Sequence, residues 1–348
     1  MFAALPLPIV GLAFVVAAIA VWLAGVRLAN TTEWLSGRFD LGQAVGGLVI
    51  LAIATNLPEI AISFSAARTG NVEVAVGNIL GGIALQTVVL VIIDAAVRRR
   101  AGPLTYRANS LVIALEGLVV VVILATVLMA TQLPASAQIG RVGVGSLIVA
   151  VLWLAGLYLV RQTRNGLPWK ASVSDDTEDR PDPGPDAQRG GRTSRTVAVF
   201  TVAALITLAA GWMLEQTGTL LSDEFGLSGV VFGATFLALA TSLPEISTGI
   251  ASARDGDDQL AISDIFGGNA FLPVLFLMIG LVAGRDPLSA AQPTDLYLTA
   301  LGIFLTVIFV VGLIFRSRRK VVGIGGDSLA VVVVYAVGLI GLIAISVG

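Results

Sequence analysis

Apolar runs of about twenty residues, each closed by a short polar or charged stretch, recur along this chain. A helix needs roughly 20 predominantly apolar residues to cross the hydrocarbon core of a bilayer. Ten such runs are present, near residues 7–28, 43–67, 72–96, 107–130, 140–161, 196–215, 228–253, 258–282, 295–315 and 326–346. The pattern predicts an all-α polytopic membrane protein with ten transmembrane helices. The first run is longer than the apolar core of a secretion leader and no Lys or Arg precedes it, so it is read as a span. The one long hydrophilic stretch, residues 162–195, is rich in Asp, Pro, Gly and Arg and has almost nothing to bury. It reads as a flexible cytoplasmic linker between two five-span halves, residues 1–161 and 196–348.

Composition agrees. A chain of 348 residues has the length of two soluble domains, but 56% of it is hydrophobic and 13% charged, whereas a soluble fold carries about 25% charged residues. Lipid must be the main solvent. With neither Cys nor His in the sequence, disulfides, thiolate or imidazole metal sites and imidazole relays are excluded, and proton handling falls to carboxylates. Assigning alternate loops to opposite sides puts 18 of the 21 basic residues on one side and leaves Arg68, Arg141 and Arg285 on the other. Lys and Arg collect in cytoplasmic loops, so both termini are expected outside and the linker inside. Arg outnumbers Lys 19 to 2, which fits a GC-rich prokaryote and a plasma (inner) membrane.

The two halves contain a repeat. Residues 45–86 align without a gap on residues 231–272 at a constant offset of 186, bringing Thr55 onto Thr241, Pro58 onto Pro244, Glu59 onto Glu245, Arg68 onto Arg254, Gly70 onto Gly256, Gly81 onto Gly267 and Gly82 onto Gly268. Shared hydrophobicity would not put Pro and Glu in register. An offset crossing five spans turns the second copy over in the membrane, predicting two inverted five-helix repeats. Such repeats mark secondary transporters, whose site lies at the midplane on helices interrupted by Pro or Gly. The paired glycines are equally well explained as helix-contact positions.

Glu59 and Glu245 fall near the middle of their spans, where an ionised side chain costs on the order of 2.5–3.5 kcal/mol. No Lys or Arg lies in the apolar middle of any span. A bound cation is the natural partner, and two facing carboxylates with other hard oxygens suit Ca²⁺. Pro58 and Pro244 cannot donate to the carbonyls of Ala54 and Ala240, so those oxygens are freed and the helix opens. Thr55 and Glu59 are i and i+4, as are Thr241 and Glu245, and share a helix face.

The segments Thr55-Asn56-Leu57-Pro58-Glu59 and Thr241-Ser242-Leu243-Pro244-Glu245 resemble the two alpha-repeats of the cation/Ca²⁺ exchanger superfamily, and the layout resembles that of microbial sodium/calcium exchangers. The alpha-repeats would span about 43–96 and 228–282. The resemblance implies that Glu59 and Glu245 coordinate Ca²⁺, that Thr55 and Thr241 complete the site, and that the first and sixth helices, spans 7–28 and 196–215, slide over a fixed core. Asn56, Ser242, Gln86, Asn78 and Asp264 join the candidate ligand set.

The chain also departs from the family pattern. Where family members carry Ser and a final Asn or Asp in the following helix, this sequence has Gly82 and Gly268, then Gln86 and Leu272. Fewer oxygens weaken the case for several sodium sites and favour proton coupling through the glutamates.

Asp264 reads either as a third acid on a neighbouring face or as a solvated charge at the cytoplasmic mouth. Glu116 reads as a relay or as a helix-end residue, Asp94 as a cap or a cytoplasmic-end residue, and Asp255, Asp257 and Asp258 as a solvated turn. The function expected is antiport of Ca²⁺, or a related divalent cation, for Na⁺ or H⁺. The alternatives are monovalent Na⁺/H⁺ exchange, and a channel or scaffold that does not exchange ions. No phosphate loop, metal-ligand spacing or triad suggests an enzyme. No cofactor, nucleic acid or obligatory protein partner is expected, only inorganic cations and the lipid bilayer.

Overall fold

The computed structural model describes residues 5–38, 53–163 and 193–347. Apart from two short hairpins, the described residues are helices and their connections. Helix α1 is Leu7–Arg38, α2 is Leu57–Thr69, α3 is Val72–Ala96, α4 is Leu104–Ala108 and α5 is Leu111–Ala130. Strands β1 (Gln138–Ile139) and β2 (Val142–Gly143) pair antiparallel ahead of α6, Val144–Gln162. The second part of the chain supplies α7 (Thr193–Glu224), α8 (Gly229–Thr241), α9 (Leu243–Asp255), α10 (Asp258–Ala283) and α11 (Pro293–Phe315). It closes with the antiparallel hairpin of β3 (Lys320–Val321) and β4 (Ile324–Gly325), followed by α12, Gly326–Val347.

Eight of these helices are long and apolar enough to cross a membrane, and α8 with α9, bent by 45° between them, makes a ninth crossing among the described residues. Nine of the ten expected spans thus coincide with helices to within a few residues, except that two run far past their apolar cores. The tenth, near 43–67, lies partly outside the described residues, and only its second half is seen as a helical turn at 53–55 and α2.

The repeat offset recurs in the element boundaries. Helices α2 and α9 begin and end 186 residues apart. Both stop at a glycine in the left-handed region, Gly70 at φ 86° and Gly256 at φ 99°, a conformation that costs a residue without Cβ little.

Helix α3 forms the centre of the bundle. Its buried face extends all round, from Val72 through Asp94, as expected of a helix without a polar stripe, and it packs against α2, α8, α11 and α12. Helices α1 and α7 lie along one another and outside this core. Each rests on the helix of the other half through a glycine. A Cβ on Gly25 would overlap the Pro244 ring, and one on Gly211 would stand 2.7 Å from the Ala61 Cβ and 3.0 Å from the Pro58 carbonyl oxygen. These two glycines are also 186 apart.

Two buried aspartates fasten one half to the other. Asp94, fully buried, accepts from the backbone N–H of Leu104 and of Gly325, both at 2.8 Å, and from the Ser328 hydroxyl at 2.9 Å. Asp286 accepts from the Ser146 hydroxyl and from the N–H of Leu288, both at 3.3 Å, and faces Gly143 closely. Asp94 is therefore a clasp on the β3–β4 hairpin as well as an acceptor for the first N–H of α4. Asp258 departs from expectation: its carboxylate pairs with Arg107 at 2.9 and 3.0 Å, with both side chains largely buried.

Candidate ion-binding site

Both Thr-x-Leu-Pro-Glu segments break their helices. Proline has no N–H to give and its ring collides with the preceding turn, so α2 and α9 start afresh with Pro58 and Pro244 in their first turns. The residues at the breaks leave helical geometry, Asn56 at φ −89°, ψ 15° and Ser242 at φ −83°, ψ 0°. Asn and Ser are strong helix caps, yet neither side chain caps its helix. The Ser242 hydroxyl is buried with no hydrogen-bond partner among the described residues. Ahead of the second break, Gly233–Leu237 opens into a π turn against the middle of α3, a distortion often found at functional positions.

The breaks converge inside the molecule. Glu59 is 1% exposed and Glu245 4%, and the two carboxylates lie close enough to interact electrostatically. The Thr241 side chain stands beside Glu59. None of the four carboxylate oxygens has a hydrogen-bond partner among the described residues. Asp264, half-buried on α10, lies within electrostatic reach of Glu245. Among the described residues no three acids gather into a single metal cluster; the centre combines carboxylates with amides and hydroxyls.

Thr55, Asn56, Thr241, Gln86 and Asn78 are all buried. Gly268 faces the first break: a Cβ there would stand 3.3 Å from the Asn56 Nδ2 and 3.6 Å from the Gln86 Oε1. The counterpart Gly82 faces the Leu272 methyl at 3.8 Å. One side of the centre is therefore lined by amides and the other by an aliphatic side chain. Asn78 has neither amide atom bonded among the described residues, and its backbone N–H lies against Gly233 of the π turn. Asn269, absent from the sequence-derived set, donates at 3.5 Å to the Ile83 carbonyl and keeps a buried, unpartnered Oδ1. The residue aligned with it is Ile83, so the repeat comparison offered no signal for it.

Buried carboxylates, amide oxygens and a hydroxyl without donors among the described residues form a polar cluster that a positive partner would compensate, since uncompensated polar groups at such depth are costly. The oxygens are hard and neutral or anionic, the chemistry that suits Ca²⁺ or Na⁺. A groove of about 540 Å³ lies elsewhere, between α1 and α7, and is apolar except for Arg27 and Arg195. Glu116, one and a half turns into α5, reaches Ser263 in a cavity of about 50 Å³ bounded by α5, α6 and α10.

A family model described as sodium/calcium exchanger protein matches residues 9–165 and 195–346, most of the chain. The chain belongs to this exchanger family. The match leaves out only the hydrophilic stretch between the halves and the ends. Among curated members, the inner membrane protein YrbG of Escherichia coli is 28% identical over 80% of this chain and 82% of its own length. The putative antiporter CaxA of Alkalimonas amylolytica is 26% identical over 78% and 79%. Two solved members share the exchanger fold. An H⁺/Ca²⁺ exchanger, CAX, superposes with a TM-score of 0.63 at 16% identity, covering 97% of this chain and 87% of that one. The sodium-calcium exchanger NCX_Mj gives 0.58 at 14%, covering 96% and 99%.

Proposed function

We propose that this protein is a secondary-active antiporter that exchanges Ca²⁺, or a related divalent cation, for H⁺ or Na⁺ by alternating access. The observation that carries the reading is the pair Glu59 and Glu245: two buried carboxylates, one from each half, with the Thr241 side chain beside Glu59 and no oxygen in a full hydrogen bond among the described residues. A visiting divalent cation neutralises both at once. Thr55, Thr241, Asn56, Ser242, Gln86 and Asp264 supply further oxygens, and Asn78 supports them from α3. The matches to named exchangers of both coupling types support antiport as the class.

The architecture proposed is ten spans as two inverted five-helix repeats, residues 1–161 and 196–348, joined by a cytoplasmic linker at 162–195 with both termini outside. The shared offset of α2 with α9 supports it, as does the bias of basic residues.

For the coupling ion the proton is favoured. Gly82 and Gly268 bring no hydroxyl to the centre and Leu272 brings no oxygen, whereas a carboxylate releases a cation by taking up a proton without extra ligands. The test is ⁴⁵Ca²⁺ uptake into proteoliposomes under an imposed pH or Na⁺ gradient. A pH gradient should drive uptake, and Glu59→Gln or Glu245→Gln should reduce it at least a hundredfold in protein that still melts cooperatively. Uptake driven by neither gradient, or undiminished in the double variant, removes the assignment.

A further inference from the structure

Outside the central site, a second carboxylate is held at full burial without a cation. Glu215, on α7, is 0% exposed. Its Oε2 accepts from the Ser65 hydroxyl at 2.7 Å and from the Gln216 side-chain amide at 2.6 Å. Its Oε1 accepts from the Asn71 amide at 3.2 Å, with the Thr69 hydroxyl also 3.2 Å away. Asn71 further reaches the Thr219 hydroxyl, one turn along α7, at 3.4 Å. Among the described residues no basic side chain pairs with Glu215; the nearby Arg68 lies over the Phe64 ring instead.

Three of these partners belong to α2 and the turn after it, the helix whose first turn carries Glu59. One turn before Glu215 on the same helix is Gly211, in contact with Pro58 and Ala61. The carboxylate and the glycine together seat α7 along the site helix from its start to its end. The matching contact on the other side lacks this device. At the offset of 186, Glu215 corresponds to Ala29 and Ser65 to Ala251, and α1 is tied to α9 by the Trp22 indole N–H, which donates to the Ser247 hydroxyl at 2.6 Å.

We infer that Glu215 is a positioning residue for ion exchange: it latches α7 onto the Glu59 helix through Ser65 and Asn71 and so holds the exchanger in the conformation described here, one entrance of two. A buried anion ringed by neutral donors is costly as mere packing, and the aligned positions of the other half, Ala29 and Ala251, carry no counterpart of it. Loss of the latch depopulates this conformation and leaves the ion ligands untouched. This inference rests on the alternating-access reading. By population shift, the apparent affinity for ions offered at one face then rises and that at the other face falls.

Two variants test it, Glu215→Gln, which turns an amide N–H toward the donors, and Ser65→Ala, which removes one donor and keeps the carboxylate. Initial rates of ⁴⁵Ca²⁺ flux are measured in right-side-out and inverted vesicles. The expected result is a KM changed at least threefold in opposite directions at the two faces, with the double variant no further shifted than Glu215→Gln alone. Shifts of the same sign, no shift, or additive shifts overturn the latch. An inactive parent protein would remove the exchange reading, and the latch is then decided without transport. Spin labels on Phe225→Cys and Ile139→Cys, both exposed positions in a cysteine-free chain, should report one distance in the parent background and a second population in both latch variants. Unchanged distance distributions overturn it, and Ser65→Ala provides the answer if Glu215→Gln does not fold.

Discussion

Ser242 holds a cap position and does not cap, while Asp257, fifteen residues on, accepts the Leu260 N–H at 2.8 Å as a cap ordinarily does. The two residues separate stability from binding. Ser242→Ala should change the unfolding free energy by less than ~0.5 kcal/mol, because no cap bond is lost, yet weaken Ca²⁺ binding at least fivefold. Asp257→Ala should cost about 1 kcal/mol and leave binding unchanged. Thermal melts and equilibrium ⁴⁵Ca²⁺ binding on the same preparations check both. At this scale the sequence was legible wherever chemistry repeated at a fixed offset, as Glu59 and Glu245 did. It was opaque where function depends on a partner far along the chain. Asp258 sits in an acidic run that resembles a wet turn, and its arginine is 151 residues away. Glu215 stands in an unrepeated position, so alignment of the halves passes over it.

Among the elements, the hairpins depend most on distant contacts. Strands of two residues cannot stand alone, and β3–β4 is held because Asp94 occupies the N–H of Gly325 and the Ser328 hydroxyl. Asp94→Ala would strand the buried N–H groups of Leu104 and Gly325, each worth about 1–3 kcal/mol. The expected loss is about 3 kcal/mol, read as a lowered melting temperature in detergent, whereas Asp94→Asn retains an acceptor and should lose about half as much. The long helices were readable from hydropathy because each must cover hydrocarbon. The hairpins were not, since Gly140 and Gly323, which turn them with positive φ, look like ordinary span-ending glycines. Nor does hydropathy separate a kink from the complete break at Ser242, or register the extension of α7 to Glu224, where polar residues continue the helix beyond its apolar part.

For the molecule as a whole, the orientation drawn from basic residues makes a direct prediction. Alkaline phosphatase fused after Ser346 should be active outside the cell and a fluorescent protein inserted near residue 180 should mature inside; the opposite pattern would invert the proposed topology. The insertion falls in residues 166–194, which the family match skips. Fold class was readable from the sequence alone, because lipid permits few solutions; the seating of the halves on each other was not, since it depends on single contacts such as Gly25 on Pro244. The crossed fastenings of Asp94 and Asp286 carry a consequence for synthesis. A ribosome that has just finished α6 has made an Asp94 that can hold only the Leu104 N–H, and a Ser146 whose acceptor lies 140 residues beyond it in the chain. The earlier half therefore waits, part-assembled, until the final hairpin leaves the insertion machinery, and a fault in the last few dozen codons damages the half that was made first.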